Sequence, residues 1–354
     1  MSISYDKSVP KVDCMLSNGH NPVSSDDHTN LSVQDEGLEY HPQHLISDSK
    51  TWNPSKTIKY KLLRIPPHRL ALCGGAVRCI AHIGVLKELH THGLLRCVKE
   101  MFGVSAGALF ALMYCIGYTL QEMETIALDF DFSLLRSIEP EVALEFPHTL
   151  GLDSGEQLER FVSSLLKRKG FPSTLTFSEL HASKPSIRFR CYATDIQMNS
   201  IKEFSASKTP NISVLLAVRA SMSLPVLYTP VKDPHTGRLL MDGGLYHNLP
   251  FVFLQEHEKH NTLAILFTLE SPTFKSDIFD VFQNVYDSIV AFRNKIFIEK
   301  YKDLVLCIPT DNFNGLEFEK TREEKISFLQ FAQQKTKDFL FTQAIKPIRR
   351  YSVS

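Results

Sequence analysis

From residue 69 onward, short apolar runs alternate with segments of helical apolar spacing. This rhythm predicts an α/β fold, a sheet with helices packed on its faces. Two further observations agree with that class. Glycine-rich turns follow the apolar runs at Gly74-Gly75, at Gly103 to Gly107 and at Asp242-Gly243-Gly244. Neither a linker nor an internal repeat interrupts residues 60 to 345, so that stretch reads as one domain.

The elements follow in order. Arg69 to Cys73 is a short apolar run ending at Gly74-Gly75, a buried strand and a tight turn. Beyond Val77, the residues Ile80, Ile83, Val85, Leu86 and Leu89 recur at helical spacing, and Gly93 closes that helix. Val98 to Phe102 is the next strand, broken at Gly103, and a strongly apolar helix runs from Ala106 to about Tyr118. Gly155 to Lys169 is amphipathic; Ile187 to Thr194 reads as a strand; Ile212 to Met222 reads as a helix stopped by Pro225. Arg238 to Met241 is a short strand that delivers Asp242, and Thr262 to Leu266 is another. Phe279 to Phe297 (helix), Leu304 to Ile308 (strand) and Arg322 to Phe341 (helix) complete the pattern. Residues 1 to 60 are rich in Ser, Asn, Asp, His and Pro without any period. The expected organisation is a disordered or loosely ordered extension over 1–60, one domain over 61–345 and a tail over 346–354.

Composition narrows the function classes. The 354 residues carry 39 Lys plus Arg and 39 Asp plus Glu, and that balance argues against a nucleic-acid binder working through a basic surface. The seven cysteines contain no C-x-x-C pair, which disfavours a disulfide framework or a zinc knuckle and fits a reducing, cytoplasmic setting. The N-terminus lacks a signal-peptide pattern, and position 2 is Ser rather than the Gly of a myristoylation site. The longest apolar run, Ala108 to Leu120, is too short to span a bilayer, so membrane contact is expected to be peripheral and transient.

Three motifs carry chemistry. Gly103-Val104-Ser105-Ala106-Gly107 is a G-x-S-x-G between a strand and a helix, the pattern of a nucleophile elbow. The plain alternative is a Gly-Ser turn before a buried helix. Cys73-Gly74-Gly75-Ala76-Val77-Arg78 lies at another strand-to-helix turn, where small residues leave backbone N–H groups open to an anion. It is neither a Walker loop nor a G-x-G-x-x-G, and an ordinary tight turn is the plain alternative. Asp242-Gly243-Gly244 places a carboxylate at a strand end; a simple Asp-Gly loop turn would look the same. Together the three supply a nucleophile, an oxyanion cradle and a base, the parts of an acyl-transfer site.

In this order the motifs resemble the patatin-like phospholipase family, which combines G-G-G-x-R/K-G, G-x-S-x-G and D-G-G/A. The resemblance extends to Ile80-Ala-His-Ile-Gly-Val-Leu86, Thr176-Phe-Ser-Glu-Leu180, Ala193-Thr-Asp195, Ala220-Ser-Met-Ser-Leu-Pro225 with Pro230, and Thr321-Arg-Glu-Glu-Lys325. It implies a three-layer α/β/α fold with a mainly parallel central sheet. It implies a lipid acyl hydrolase of the phospholipase A or lysophospholipase type, working without cofactor or metal on a phospholipid or other acyl lipid. Ser105 would be the nucleophile and Asp242 its base, flanked by Gly243 and Gly244. Gly103 and Gly107 would shape the elbow. The backbone of Gly74, Gly75 and Ala76 would hold the oxyanion, with Arg78 steadying that loop or a substrate phosphate. A protein activator is compatible with the family.

Two departures open alternatives. The family's third glycine is Ala76 here, and the glycine after the arginine is Cys79. Ala76 keeps its N–H as a donor, but a positive φ there would strain it by about 1 kcal/mol or more. A catalytically weak lipid-binding or regulatory protein is therefore one alternative. A Ser-Asp-His esterase using Asp195 with His247 or His257 is another. His82 reads as a packing residue beside the site, and Cys79 as a packed residue at a helix start. The stretch Asp129 to His148, with Phe130, Phe132 and Phe146, is a candidate lid or acyl groove. Ala291 to Lys302 mixes Phe and Ile with Arg and Lys, either as a membrane-surface segment or as an ordinary amphipathic helix.

Overall fold

The computed structural model describes residues 66–136, 144–183, 187–268, 278–310, 313 and 318–345. The expected N-terminal extension over 1–60 and the tail over 346–354 lie outside the described residues. The strands are β1 (Arg69–Leu72), β2 (Glu100–Val104), β3 (Gly151–Asp153), β4 (Arg188–Asp195), β5 (Ser200–Ser205), β6 (Val226–Tyr228), β7 (Val231–Lys232), β8 (Leu239–Asp242), β9 (Thr262–Thr268) and β10 (Val305–Pro309). The longer helices are α1 (Ala81–Thr91), α2 (Ala106–Cys115), α3 (Leu120–Asp129), α4 (Glu156–Arg168), α5 (Val214–Ser221), α6 (Ile278–Lys300) and α7 (Arg322–Ile345).

The main sheet runs β10-β9-β1-β2-β4-β8-β7, with β5 also paired to β4. Strands β10, β9, β1, β2 and β4 are mutually parallel, while β5, β8 and β7 join antiparallel. This is the three-layer α/β/α fold with a mainly parallel sheet. Strands β3 and β6 form a separate parallel pair. Parallel strands covered on both faces must be apolar throughout, and β1, β2 and β9 are buried along almost their whole length. Helix α2 is buried at every residue but Tyr114, the pattern of a core helix rather than a surface one.

Strand β4 explains how distant segments meet. Its first half, Arg188 to Tyr192, pairs with β2, and its last three residues pair with β8. Strand β5 follows the opposite edge across both halves. Strands β2 and β8 therefore share one edge of β4 and meet end to end. Val104 stands opposite Tyr192 and Asp242 opposite the next residue, Ala193. The chain leaves the sheet at Ser105 where Asp242 arrives from the other direction.

Among the differences from the sequence expectation, three concern elements around the site. The helix after Gly75 begins as a 3-10 turn over Ala76–Ile80 and becomes α-helical only at Ala81. Strand β2 runs two residues further than expected, taking in Gly103 and Val104. The hairpin strand β5 was not anticipated, because SIKEFS has few strand formers and only its last two residues are buried.

Candidate active site

Gly103 sits in a strand because a side chain there has no room. A Cβ at Gly103 would stand 2.5 Å from the Ala108 nitrogen, and one at Gly107 would stand 2.6 Å from the Leu72 carbonyl oxygen. The two glycines let helix α2 start directly against the ends of β1 and β2. Between them Ser105 is forced to φ 55° and ψ −137°, a conformation that costs a non-glycine residue roughly 1–3 kcal/mol. The strain is held by buried contacts. The Ser105 N–H donates to Ser221 Oγ at 2.9 Å, and the Ser221 hydroxyl donates to the Tyr192 carbonyl at 2.6 Å.

Asp242 is fully buried. Its N–H donates to the Ser223 carbonyl at 2.8 Å, its carbonyl accepts from the Thr194 hydroxyl at 2.8 Å, and its Oδ1 accepts from the Gly244 N–H at 2.8 Å. Oδ2 is buried without a donor in hydrogen-bond geometry. Burial raises the Asp242 pKa to about 7, and the Ser105 hydroxyl and the Gly244 N–H pull against that rise. A carboxylate out of water, beside a serine and with one oxygen unmet, has the chemistry to accept a proton near neutrality.

The expected oxyanion loop follows β1. Gly74 lies against Ser105: a Cβ on it would be 2.7 Å from the Ser105 Cβ. Its N–H, however, donates to Asn248 Oδ1 at 2.9 Å, while Asn248 Nδ2 donates to the Gly74 carbonyl at 3.1 Å. That amide clamp takes Gly74 out of the donor set, contrary to the sequence expectation, and leaves the Gly75 and Ala76 amides. Ala76 adopts φ 47°, the strained left-handed case. Arg78 also departs from a free anion-binding role: Nε donates to the Phe313 carbonyl at 3.0 Å, and the guanidinium pairs with Asp287 of α6 at 3.4 Å.

A cavity of about 370 Å³ opens over these groups, at the carboxyl ends of the parallel strands. Gly74 to Ala76, Ser105, Asn248, Thr268 and Thr310 form its floor and rim, and the α6 residues Val290, Asn294 and Ile298 close it from above. A second, narrow cavity of about 40 Å³ also reaches Ser105, and Phe132, Leu135, Met222, Leu224 and Phe318 make it apolar. The candidate acyl-groove segment thus contributes Phe132 and Leu135. Phe130 packs instead on Phe161, with ring centroids 4.4 Å apart, and residues 137–143 are outside the described residues.

The histidines stand elsewhere. His247 Nδ1 accepts from the Leu249 N–H at 3.2 Å, its ring meets Phe297 edge-on at 5.1 Å, and burial lowers its pKa to about 4. It does not line the Ser105 cavity. His257 is exposed on the short helix Glu256–Lys259, and Asp195 is paired with Arg238 at 2.6 Å. His82 is buried with Nε2 2.9 Å from the Cys73 carbonyl oxygen, as a packing residue would be. Cys79 is buried too, its thiol donating to that same carbonyl, and burial raises its pKa.

The sequence assigns no role to three supporting residues, although Ser221 lies within the Ala220–Pro225 block. Ser221 and Asn248 are described above. Arg219, almost fully buried, donates to Ser223 Oγ at 2.5 Å, the Ser154 carbonyl at 2.8 Å and the Thr229 carbonyl at 3.1 Å. It fixes the Ser221–Ser223 segment, which holds both the Ser105 N–H and the Asp242 N–H. Among the described residues no helix is long and apolar enough to cross a membrane.

Comparison with known proteins agrees with this architecture. The family model described as Patatin-like phospholipase matches residues 70–254, over half of the chain. A protein of Bacillus subtilis, YqhO, is 26% identical over 287 residues, covering 75% of this chain and 96% of its own. The probable lipid hydrolase 463L of Invertebrate iridescent virus 6 is 23% identical over 266 residues, covering 74% and 88%. Among solved structures, VipD of Legionella pneumophila shares the fold with a TM-score of 0.54 at 16% identity, covering 78% of this chain and 67% of that one. The strand order, the elbow serine and the matched residues lead to one assignment: the chain belongs to the patatin-like phospholipase family and is a carboxylic ester hydrolase.

Proposed function

We propose that the protein is a lipid acyl hydrolase of the phospholipase A or lysophospholipase type, working through a Ser105–Asp242 dyad. The observation that carries this reading is the meeting of a strained serine with a buried, half-satisfied carboxylate where β2 and β8 abut, under a cavity at the strand ends. Asp242 Oδ2 takes the proton of the Ser105 hydroxyl as the oxygen attacks the ester carbonyl. The Gly75 and Ala76 amides hold the developing oxyanion. Asp242 then returns the proton to the leaving alcohol, and water enters by the reverse route to free the acid. The narrow apolar cavity suits a short acyl chain, and the wider one, rimmed by Asn248, Thr268 and Thr310, suits the rest of the substrate.

The test combines covalent labelling with turnover. A fluorophosphonate should modify Ser105, as located by peptide mass spectrometry, and Ser105→Ala should lose the label. Ser105→Ala and Asp242→Asn should each lower hydrolysis of a soluble ester and of dispersed phospholipid by about a thousand-fold or more. Full activity in Asp242→Asn together with loss in His247→Ala would replace the dyad by the triad. A folded wild type inert on both substrates and unlabelled would favour the lipid-binding alternative.

A further inference from the structure

Helix α6 has two faces of opposite character. Asp287, Val290, Asn294 and Ile298 look into the Ser105 cavity. On the far side stand Val281, Val285, Ile289, Phe292 and Ile296, all exposed, Phe292 at 75% and Ile296 at 62%. Their spacing of three and four residues puts them in one stripe, about 22 Å long at 1.5 Å per residue. A surface helix ordinarily turns polar residues outward, so this stripe is inverted. The helix is held in place from beneath, where Arg293 donates to the Leu245 and Tyr246 carbonyls and Asp287 pairs with Arg78. The stripe is thus presented rather than left over from poor packing. At its C-terminal end Lys300 and Lys302 add positive charge, while Arg293 is engaged beneath the helix and Lys295 and Glu299 line the cavity.

We infer that the outer face of α6 is the surface by which the protein binds an anionic phospholipid bilayer, seating the roof of the Ser105 cavity on the lipid. The inference rests on the lipid-hydrolase reading for its occupant. Two features select a bilayer over a second copy of the chain. The cationic excess complements anionic headgroups, whereas a second copy would bring the same excess. The stripe is a single exposed ridge, of the kind that enters the headgroup boundary. A partner bound here would lie directly over the substrate cavity, as a lipid surface must.

Flotation of the full-length protein with vesicles tests this. Wild type should bind vesicles of phosphatidylcholine mixed with phosphatidylserine. The exposed-site double variant Phe292→Ser/Ile296→Ser should bind them on the order of thirty-fold more weakly, with unchanged circular dichroism and unchanged turnover of a soluble short-chain ester. Lys300→Gln/Lys302→Gln should weaken binding to the mixed vesicles and leave the weaker binding to pure phosphatidylcholine alone. Ser105→Ala should bind as wild type does. Equal binding by wild type and the Phe292/Ile296 variant would overturn the inference. So would a wild-type dimer that this variant dissociates, which would give the face to a second copy. Variant-sensitive vesicle binding by a protein that hydrolyses no ester would keep this surface and reject the catalytic reading. Ester hydrolysis without vesicle binding would do the reverse.

Discussion

Asp242 combines an advantage for catalysis with a cost to stability. Its pKa, raised to about 7 by burial, exceeds the carboxylate's ordinary value, so the native state holds its proton more tightly than the unfolded chain does. The stability this group contributes is full below about pH 4 and is lost as pH rises through about 7. With Asp242 as the proposed base, hydrolysis has the opposite dependence: kcat/KM should fall about tenfold per pH unit below 7 and level off above it. Asp242→Asn removes the titration while keeping the shape. It should stabilise the fold at pH 8 by on the order of a few kcal/mol, read as a higher thermal midpoint, while abolishing turnover. Calorimetry and pH-rate profiles check both halves. Ala76 is a second strained point, at φ 47°. Ala76→Gly should leave activity intact and stabilise by up to about 1 kcal/mol, the left-handed cost less glycine's own entropy. Ala76→Val should lower kcat at least about tenfold, since a β-branched residue resists positive φ. Ser105 and Asp242 were legible in the sequence because small residues on fixed sides of each mark a turn. The sign of φ at Ala76 was not, because an alanine is compatible with either. Asn248 was equally hidden: it clamps Gly74 from 174 residues away, and nothing local in the sequence reports such a reach.

At the scale of elements, the apolar period revealed β1, α2 and β9 because burial on all sides leaves no polar residue to blur the pattern. It misjudged the end of β2, where glycine as a strand breaker was overridden by glycine as the residue that fits against Gly107. It also gave no sign that the end of α5, which it read only as a helix stopped by Pro225, frames the site. Ser221 accepts the Ser105 N–H and donates to the Tyr192 carbonyl. Ser221→Ala leaves both groups buried and unpaired, a destabilisation of about 2–3 kcal/mol. Because it loosens the elbow without touching the cavity, kcat should fall by about tenfold to a hundredfold with KM little changed. A change confined to stability would show that Ser221 does not position the nucleophile.

Across the whole molecule, the two cavities at Ser105 draw on segments far apart in the chain, from Gly74 to Phe318, and their shapes bear on which acyl chains fit. The apolar one is narrow, about 40 Å³. Phe132 and Leu135 close it from the segment after α3, Met222 and Leu224 from the segment after α5, and Phe318 from the approach to α7. Phe132 is backed by Phe130, with ring centroids 5.4 Å apart, and the Tyr228 hydroxyl ties the Leu135 carbonyl at 3.0 Å. This wall is braced from two sides, so a long acyl chain enters only if it yields. Soluble esters of short acids should therefore be turned over faster than those of long ones. Leu135→Ala and Phe318→Ala remove side chains from the wall without reaching Ser105, Asp242 or the Gly75–Ala76 amides. Each should shift the preferred acyl chain to greater length. The expected gain in kcat/KM for the longer ester relative to the shorter is about tenfold, the discrimination that one or two methylenes in an apolar pocket provide. A series of esters differing only in acyl length, assayed with wild type and both variants, measures the shift. An unchanged profile would mean that the acyl chain lies in the wider cavity under α6, with the leaving group in the narrow one.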